Sequence, residues 1–155
     1  EELAKVTTIC FDKTGTITEG KPSVIDFYQS EDDDLDLYSI LYSIESKSEH
    51  PLAKSIVDYT KTFFPKELEI EKFQSIDGRG ILATIKNEEY YIGNYKYIDQ
   101  SFLENEKIKN LYEEYSDEGK TSLIISKNKK IIGIISIKDK VKENSKQAIK
   151  ELKNK

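Results

Sequence analysis

The sequence predicts an α+β fold, an antiparallel sheet flanked by helices and inserted into a split domain. Three observations lead there. Apolar residues recur at helical spacing up to Phe63 and then alternate from Leu68 onward. Short alternating runs between 68 and 92 are separated by turn-forming residues. The two ends read instead as pieces of something parallel and buried, which suggests one domain inserted within another.

Residues 4–11, Ala-Lys-Val-Thr-Thr-Ile-Cys-Phe, are β-branched and apolar enough for a buried strand. The strand should end in the polar turn Asp12-Lys13-Thr14-Gly15-Thr16-Ile17-Thr18. Gly20 and Pro22 punctuate the exit, and residues 23–28 read as a short strand. The acidic cluster at 31–34 reads as a solvated loop that favours a following helix N-terminus.

Leu35, Leu37, Tyr38, Leu41, Tyr42 and Ile44 then mark a helix, which Ser48-Glu49-His50-Pro51 breaks. Pro51 suits the first position of a second helix, where its missing N–H costs nothing. Leu52, Ile56, Tyr59 and Phe63 carry that helix to Phe64-Pro65. Residues 68–76, 81–85 and 90–92 read as antiparallel strands, with turns at Asp77-Gly78-Arg79-Gly80 and at 86–89. A charged helix follows at 104–116, then a hairpin of 122–126 with 131–137, then a last helix at 141–152.

Composition narrows the function. The 155 residues carry 24 basic and 29 acidic side chains, 24 − 29 = −5, with 37% hydrophobic and 34% charged residues, as in a soluble globular domain. No apolar run approaches the ~20 residues that span a bilayer. The acidic balance argues against nucleic acid as a partner. Cys10 stands alone, which excludes a disulfide framework or thiolate cage and fits a cytosolic setting. A chain without methionine that opens on Glu1-Glu2 reads as a piece of something longer.

Two constellations carry chemistry. The first is the turn after residues 4–11. Reactive groups of open α/β sheets sit beyond the carboxyl ends of strands, and a carboxylate such as Asp12 can attack a phosphoryl group there. Thr14 and Thr16 offer hydroxyl donors, Gly15 lets backbone amides approach a phosphate, and Asp12 can offer oxygen to Mg²⁺. A generic Asp-x-x-Gly would be a surface turn. The full string Asp-Lys-Thr-Gly-Thr-Ile-Thr, however, matches the phosphorylation signature of the P-type ATPases. Phosphatases of the haloacid dehalogenase class resemble it but carry a second Asp two residues after the nucleophile, as acid and base. Thr14 stands there instead, so an acyl phosphate should persist.

The second constellation suits a purine. His50, the only histidine, would alone read as structural or simply exposed. Glu45, near the end of the preceding helix, could accept from an exocyclic amine, and an imidazole can stack on a base. Gly78-Arg79-Gly80 alone would pass for a hairpin turn or bulge, and Gly93-Asn94 for a strand exit. Together, Glu45, Ser48-Glu49-His50-Pro51-Leu52, Gly78-x-Gly80 and Gly93-Asn94 resemble the nucleotide-binding domain of heavy-metal-transporting P-type ATPases, over essentially the whole chain.

That resemblance implies a nucleotide-binding domain over 22–129. It would be inserted into a Rossmann-like (haloacid dehalogenase-like) phosphorylation domain contributing 1–21 and the truncated start of its second part, 130–155. It implies that ATP and Mg²⁺ are the cofactors. Glu45 and His50 would hold the adenine, Gly78 and Gly80 would make room along purine and ribose, and Gly93 and Asn94 would complete the wall. Asp12 would accept the γ-phosphoryl group, Thr14 would add phosphate and Mg²⁺ contacts, and Lys13 belongs to the motif. Partners would be ATP, the remainder of the phosphorylation domain, the actuator domain and the membrane helices of a pump, placing the chain on the cytoplasmic side of a cell membrane.

Asp139 followed by Lys142 replaces an Asp-x-x-Arg of many such pumps; a capped helix start explains it equally well. Thr18-Glu19-Gly20-Lys21-Pro22, Ser48-Glu49-His50-Pro51, Gly93-Asn94 and Lys142 look more like copper exporters. Tyr90-Tyr91-Ile92 looks more like zinc and cadmium exporters. Copper is the expected cargo. The alternatives are a zinc or cadmium exporter, a stand-alone haloacid dehalogenase-type phosphohydrolase, and a module that binds nucleotide without chemistry.

Overall fold

A computed structural model describes residues 7–12, 16–31 and 35–154. The described strands are β1 (Thr18–Gln29), β2 (Lys72–Ile76), β3 (Gly80–Ile85), β4 (Glu88–Gly93), β5 (Thr121–Lys127) and β6 (Lys130–Val141). They form one six-stranded sheet in the order β1-β6-β5-β4-β3-β2. The pairs from β2 to β6 are antiparallel. The helices are α1 (Leu37–Glu45), α2 (Ala53–Lys61), α3 (Glu106–Asp117) and α4 (Glu143–Lys153). An antiparallel sheet flanked by helices is the α+β layout the periodicity predicts.

Local chemistry sets these elements. Asp36 caps α1 by accepting from the Ser39 N–H, and Asn105 caps α3 by accepting from the Ile108 N–H. Two-residue turns close two hairpins. Lys86 and Asn87 both take positive φ, as do Asn128 and Lys129, which matches the twist of the flanking strands. The run Ile131, Ile132, Ile134, Ile135 and Ile137 is buried on both faces of the sheet. On one face Ile132, Ile135 and Ile137 join Leu37, Leu41, Ile44 and Ile56 of α1 and α2. On the other, Ile131 and Ile134 pack with Ile108 and Tyr115 of α3.

Contacts divide the chain into two units, Glu1–Pro22 with Asp139–Lys155, and Ser23–Lys138. The chain thus leaves the second unit after Lys138, within β6, because the strand's isoleucines are committed to the sheet up to Ile137. Within the first unit, Asp139 accepts from the Thr18 hydroxyl at 2.6 Å and the Lys21 N–H at 3.1 Å. The Lys142 N–H donates to the Ile17 carbonyl at 2.8 Å, and Lys142 precedes α4 without a side-chain cap. Asp139 therefore ties down the start of β1.

Three expectations are corrected. Residues 7–11 form no strand, and Ile9 and Phe11 are exposed. An apolar run becomes a buried strand only where neighbours take up its N–H and C=O groups, and no described strand pairs with it. Pro51 lies in the turn before α2 rather than at its first position, since helical geometry begins at Ala53. The strand expected from 68 starts at Lys72. The Lys66 and Leu68 N–H groups donate instead to the Ser39 and Ser43 hydroxyls of α1, each at 2.8 Å, so that stretch lies along a helix before it joins the sheet.

Candidate nucleotide site

The site begins with the corner between α1 and α2. Beyond Glu45, the last residue of α1, the Ser48 N–H donates to the Glu45 carbonyl at 3.0 Å. The Ser48 hydroxyl accepts from the His50 N–H at 3.1 Å. The N-cap position of α2, Leu52, brings no capping side chain. The imidazole takes over that task, because His50 Nδ1 accepts from the Leu52 N–H at 3.1 Å. A ring that accepts at Nδ1 carries its proton at Nε2. The ring is therefore fixed in orientation while remaining exposed at the surface.

The opposite wall is the β2–β3 turn against the end of β4. Gly78 sits at φ +70° and Gly80 at φ +142°, backbone conformations that L side chains rarely adopt. Gly80 pairs with Gly93 across the β3–β4 ladder. The Arg79 carbonyl accepts from the Asn94 N–H at 3.0 Å and from the Tyr91 hydroxyl at 2.9 Å. The same hydroxyl reaches the Asn94 carbonyl at 3.2 Å. Burial pushes the Tyr91 phenol up to about 12, so it remains a donor to both carbonyls at any ordinary pH. The Asn94 side chain accepts from the Lys96 N–H, which starts a 3-10 turn at Tyr95–Tyr97.

Between these walls lies a cavity of about 220 Å³ that brings together Glu45, His50, Gly78, Gly80, Gly93 and Asn94. Leu52, Ile56, Ile81 and Ile92 supply apolar lining. An apolar cavity of ~150 Å³ accepts a single benzene ring, so this space is on the scale of a two-ring base. Glu45 is only 3% exposed, and among the described residues no donor pairs with its carboxyl group. Burial pushes that carboxyl from 4.5 up to about 7. Its place in the last turn of α1 adds an unfavourable helix dipole for a negative charge. Its oxygens are not sealed inside the protein, since among the described residues the fully buried side-chain oxygen without a partner is Ser122 Oγ. The Glu45 carboxyl instead faces the cavity, open to a donor that enters it. The cavity is therefore suited to a flat, largely apolar ligand that carries a hydrogen-bond donor.

The phosphorylation turn is placed less completely. Asp12 is exposed and follows residues 7–11, which form no strand, so it does not stand at a strand end as expected. Lys13 and Thr14 lie outside the described residues. Among the described residues, no group of three or more His, Cys, Asp or Glu side chains gathers that could hold a metal ion. Asp12 alone does not make a Mg²⁺ site.

The sequence matches the haloacid dehalogenase-like hydrolases over residues 6–155. The chain belongs to that family. It is also 43% identical, over 99% of its length, to a copper-exporting P-type ATPase of Staphylococcus epidermidis, of which it covers 19%. It is 36% identical, over 98% of its length, to a cadmium-transporting ATPase of Staphylococcus aureus, of which it covers 22%. The chain thus spans about a fifth of the length of these curated relatives. A crystal structure of a zinc-transporting PIB-type ATPase superposes with a TM-score of 0.75 at 27% identity, covering 99% of this chain and 25% of that one. The catalytic domain of the CPx-ATPase CopB-B, described for its conformational changes upon nucleotide binding, superposes with a TM-score of 0.68 at 27% identity. That match covers 99% of this chain and 52% of that one. The homologues of this haloacid dehalogenase-like chain are P-type ATPases, which are membrane proteins. No described helix of the chain itself is long and apolar enough to cross a membrane.

Beside the cavity the structure shows two residues whose contacts sequence reasoning passed over. Tyr91 read as part of a strand and of the Tyr90-Tyr91-Ile92 likeness to zinc and cadmium exporters, yet its hydroxyl joins the glycine turn to the strand exit. Arg79 read only as the variable position between two glycines, although it lines the cavity. No local pattern flags either one, because their partners are main-chain atoms brought close by β-pairing.

Proposed function

We propose that the Ser23–Lys138 unit binds ATP with its adenine in the cavity, as the nucleotide-handling part of a heavy-metal P-type ATPase. The unpartnered, buried carboxyl of Glu45 on the cavity wall carries this reading. An adenine amine would supply the missing donor, and the His50 ring, held by the Leu52 N–H, would stack on the base. Gly78, Gly80, Gly93 and Asn94 would border the purine and ribose with main chain instead of side chains. In domain terms, residues 22–129 would be the nucleotide-binding domain, with 1–21 and 130–155 belonging to the phosphorylation domain.

In the whole protein, ATP supplies the γ-phosphoryl group. A carboxylate oxygen of Asp12 would form the new P–O bond as the bond to ADP breaks, with Lys13 and Thr14 beside it. Thr14 at the usual second-acid position favours a lasting aspartyl-phosphate over prompt hydrolysis. We further propose copper as the exported ion, supported by the likeness of Thr18-Glu19-Gly20-Lys21-Pro22, Ser48-Glu49-His50-Pro51, Gly93-Asn94 and Lys142 to copper exporters and by the 43% identity to one of them. Mg²⁺ would accompany the phosphates, and its protein ligands are not assigned beyond Asp12 and Thr14.

Calorimetric titration tests the binding step. His50→Ala should weaken ATP binding by about 1–3 kcal/mol, the scale of one base-stacking contact. Unchanged affinity would remove the imidazole from the site.

A further inference from the structure

Of the described ionisable side chains on the cavity wall, Glu45 alone is buried, while His50, Asp77 and Arg79 are exposed. A second recess, also lined by Glu45 and His50, brings in Tyr42, Glu49, Lys54 and Lys61. Among the described residues none of these groups forms an ion pair with the Glu45 carboxyl. None of them shifts its titration either, since burial alone raises it. The His50 and Asn94 acceptors on the cavity wall are committed to main chain. His50 Nδ1 accepts from the Leu52 N–H and the Asn94 side-chain oxygen from the Lys96 N–H, each at 3.1 Å. Glu45 is left with its carboxyl open to the cavity.

A carboxyl group among Leu52, Ile56, Ile81 and Ile92, without a cation and in the last turn of a helix, is favoured as the acid over the anion. The acid carries a carbonyl oxygen that accepts and an O–H that donates. That is the donor–acceptor pair of a glutamine side chain, which reads adenine through its amine and the ring nitrogen beside it. A carboxylate offers acceptors only. It can take the amine, but it sets a negative charge against the lone pair of the ring nitrogen.

We propose that Glu45 reads the base as a neutral acid, its carbonyl oxygen accepting from the exocyclic amine of adenine while its O–H donates to the adjacent ring nitrogen. The proposal rests on the nucleotide reading above and makes a proton part of base recognition. Where the free carboxyl is ionised, binding moves a proton from solvent onto a Glu45 oxygen, and release of the base returns it. Base binding is thereby linked to pH. The carboxyl of the free folded chain lies at about 7, so the acid form becomes scarce above neutrality and the affinity for adenine falls with it.

The test is calorimetric titration with adenosine, which carries no phosphate, of the wild-type chain, Glu45→Gln and His50→Phe at pH 6 and pH 8. Wild-type affinity should fall about tenfold between the two. At pH 8, heats measured in buffers of different ionisation enthalpy should show proton uptake on binding. Glu45→Gln carries the amide pair at every pH, so it should lose both the slope and the uptake and bind about tenfold more tightly than wild type at pH 8. The slope should persist in His50→Phe, whose ring stacks without titrating. Proton release, or binding with neither slope nor proton exchange, overturns the acid while leaving the purine site standing. So does a Glu45→Gln variant that binds more weakly than wild type at both pH values. A slope that vanishes in His50→Phe gives the proton to the imidazole and overturns the proposal too. If the wild-type chain binds neither adenosine nor ATP at either pH, the underlying nucleotide reading fails and the acid falls with it. A urea midpoint for each variant shows whether the fold is intact.

Discussion

Gly80 faces Gly93 across the β3–β4 ladder so closely that neither position has room for a β-carbon. One added at Gly80 would strike the Ile92 carbonyl and the Gly93 Cα; one added at Gly93 would strike the Arg79 carbonyl and the Tyr91 hydroxyl. These glycines let two backbones approach. A β-carbon at Gly78, by contrast, would point into open space. The expectation that glycines clear space for a ligand therefore needs refining at Gly80 and Gly93, whose missing side chains first make room for protein.

This difference predicts a graded series. Gly80→Ala combines a φ of +142° with a backbone clash and should cost about 2–4 kcal/mol of stability. Gly78→Ala meets only the left-handed φ and should cost about 1 kcal/mol. Urea unfolding of both variants checks the order. Equal costs would mean that the strands can part to admit a methyl group.

Glu45 predicts a pH dependence of definite sign. Its carboxyl lies at about 7 in the folded chain against an ordinary 4.5, so the folded state holds its proton more tightly. The associated stability is fully present below about pH 4.5 and is lost as pH rises through about 7. The total is on the order of 3 kcal/mol. Glu45→Gln should remove this slope and make the unliganded chain more stable at pH 8. Urea midpoints at pH 5 and pH 8 decide it; a parallel fall in both proteins would show that the carboxyl is not desolvated.

Asp26, which does not line the cavity, works in the opposite sense. Burial pushes its carboxyl up, but hydrogen bonds from Lys120 and Ser136, together with the Lys120 charge, outweigh that and hold it below its ordinary value. Lys120 Nζ donates at 2.8 Å and the fully buried Ser136 hydroxyl at 2.6 Å. Its contribution is present at neutral pH and is lost as pH falls through the acid range. Asp26→Ala, which strands the Ser136 hydroxyl, should destabilise the fold by about 1–3 kcal/mol and leave ATP affinity unchanged. A large loss of ATP affinity with an intact fold would place Asp26 in the site.

Legibility followed the range of the physics. The helices around 37–45, 53–61 and 106–117 and the two hairpins were readable because apolar spacing and turn residues are neighbours in sequence. The caps at Asp36 and Asn105 and the two-residue length of the turns came instead from the structure. Glu45, His50 and the glycine pairs were readable only as a motif set, since no spacing rule brings residues 45, 78 and 93 to one cavity. Over its described residues, 7–11, the strand expected at 4–11 did not form for a related reason: apolar residues state that they can pair, and not with what. The Lys66 and Leu68 amides went to the serines of α1, a non-local choice that alternation cannot foresee. The main-chain partners of the Tyr91 hydroxyl and the place of Arg79 on the cavity wall were invisible for the same cause.

The most direct test titrates the isotope-labelled chain with adenosine alone and follows the Glu45 carboxyl carbon, the His50 ring and the Gly78 amide by NMR. Adenosine has no phosphate, so only the base and sugar contacts are read. Saturable shifts at all three groups, with the Glu45 carboxyl among the largest, are the predicted result. If those groups stay still while ATP perturbs residues elsewhere in the chain, the cavity is not the purine site.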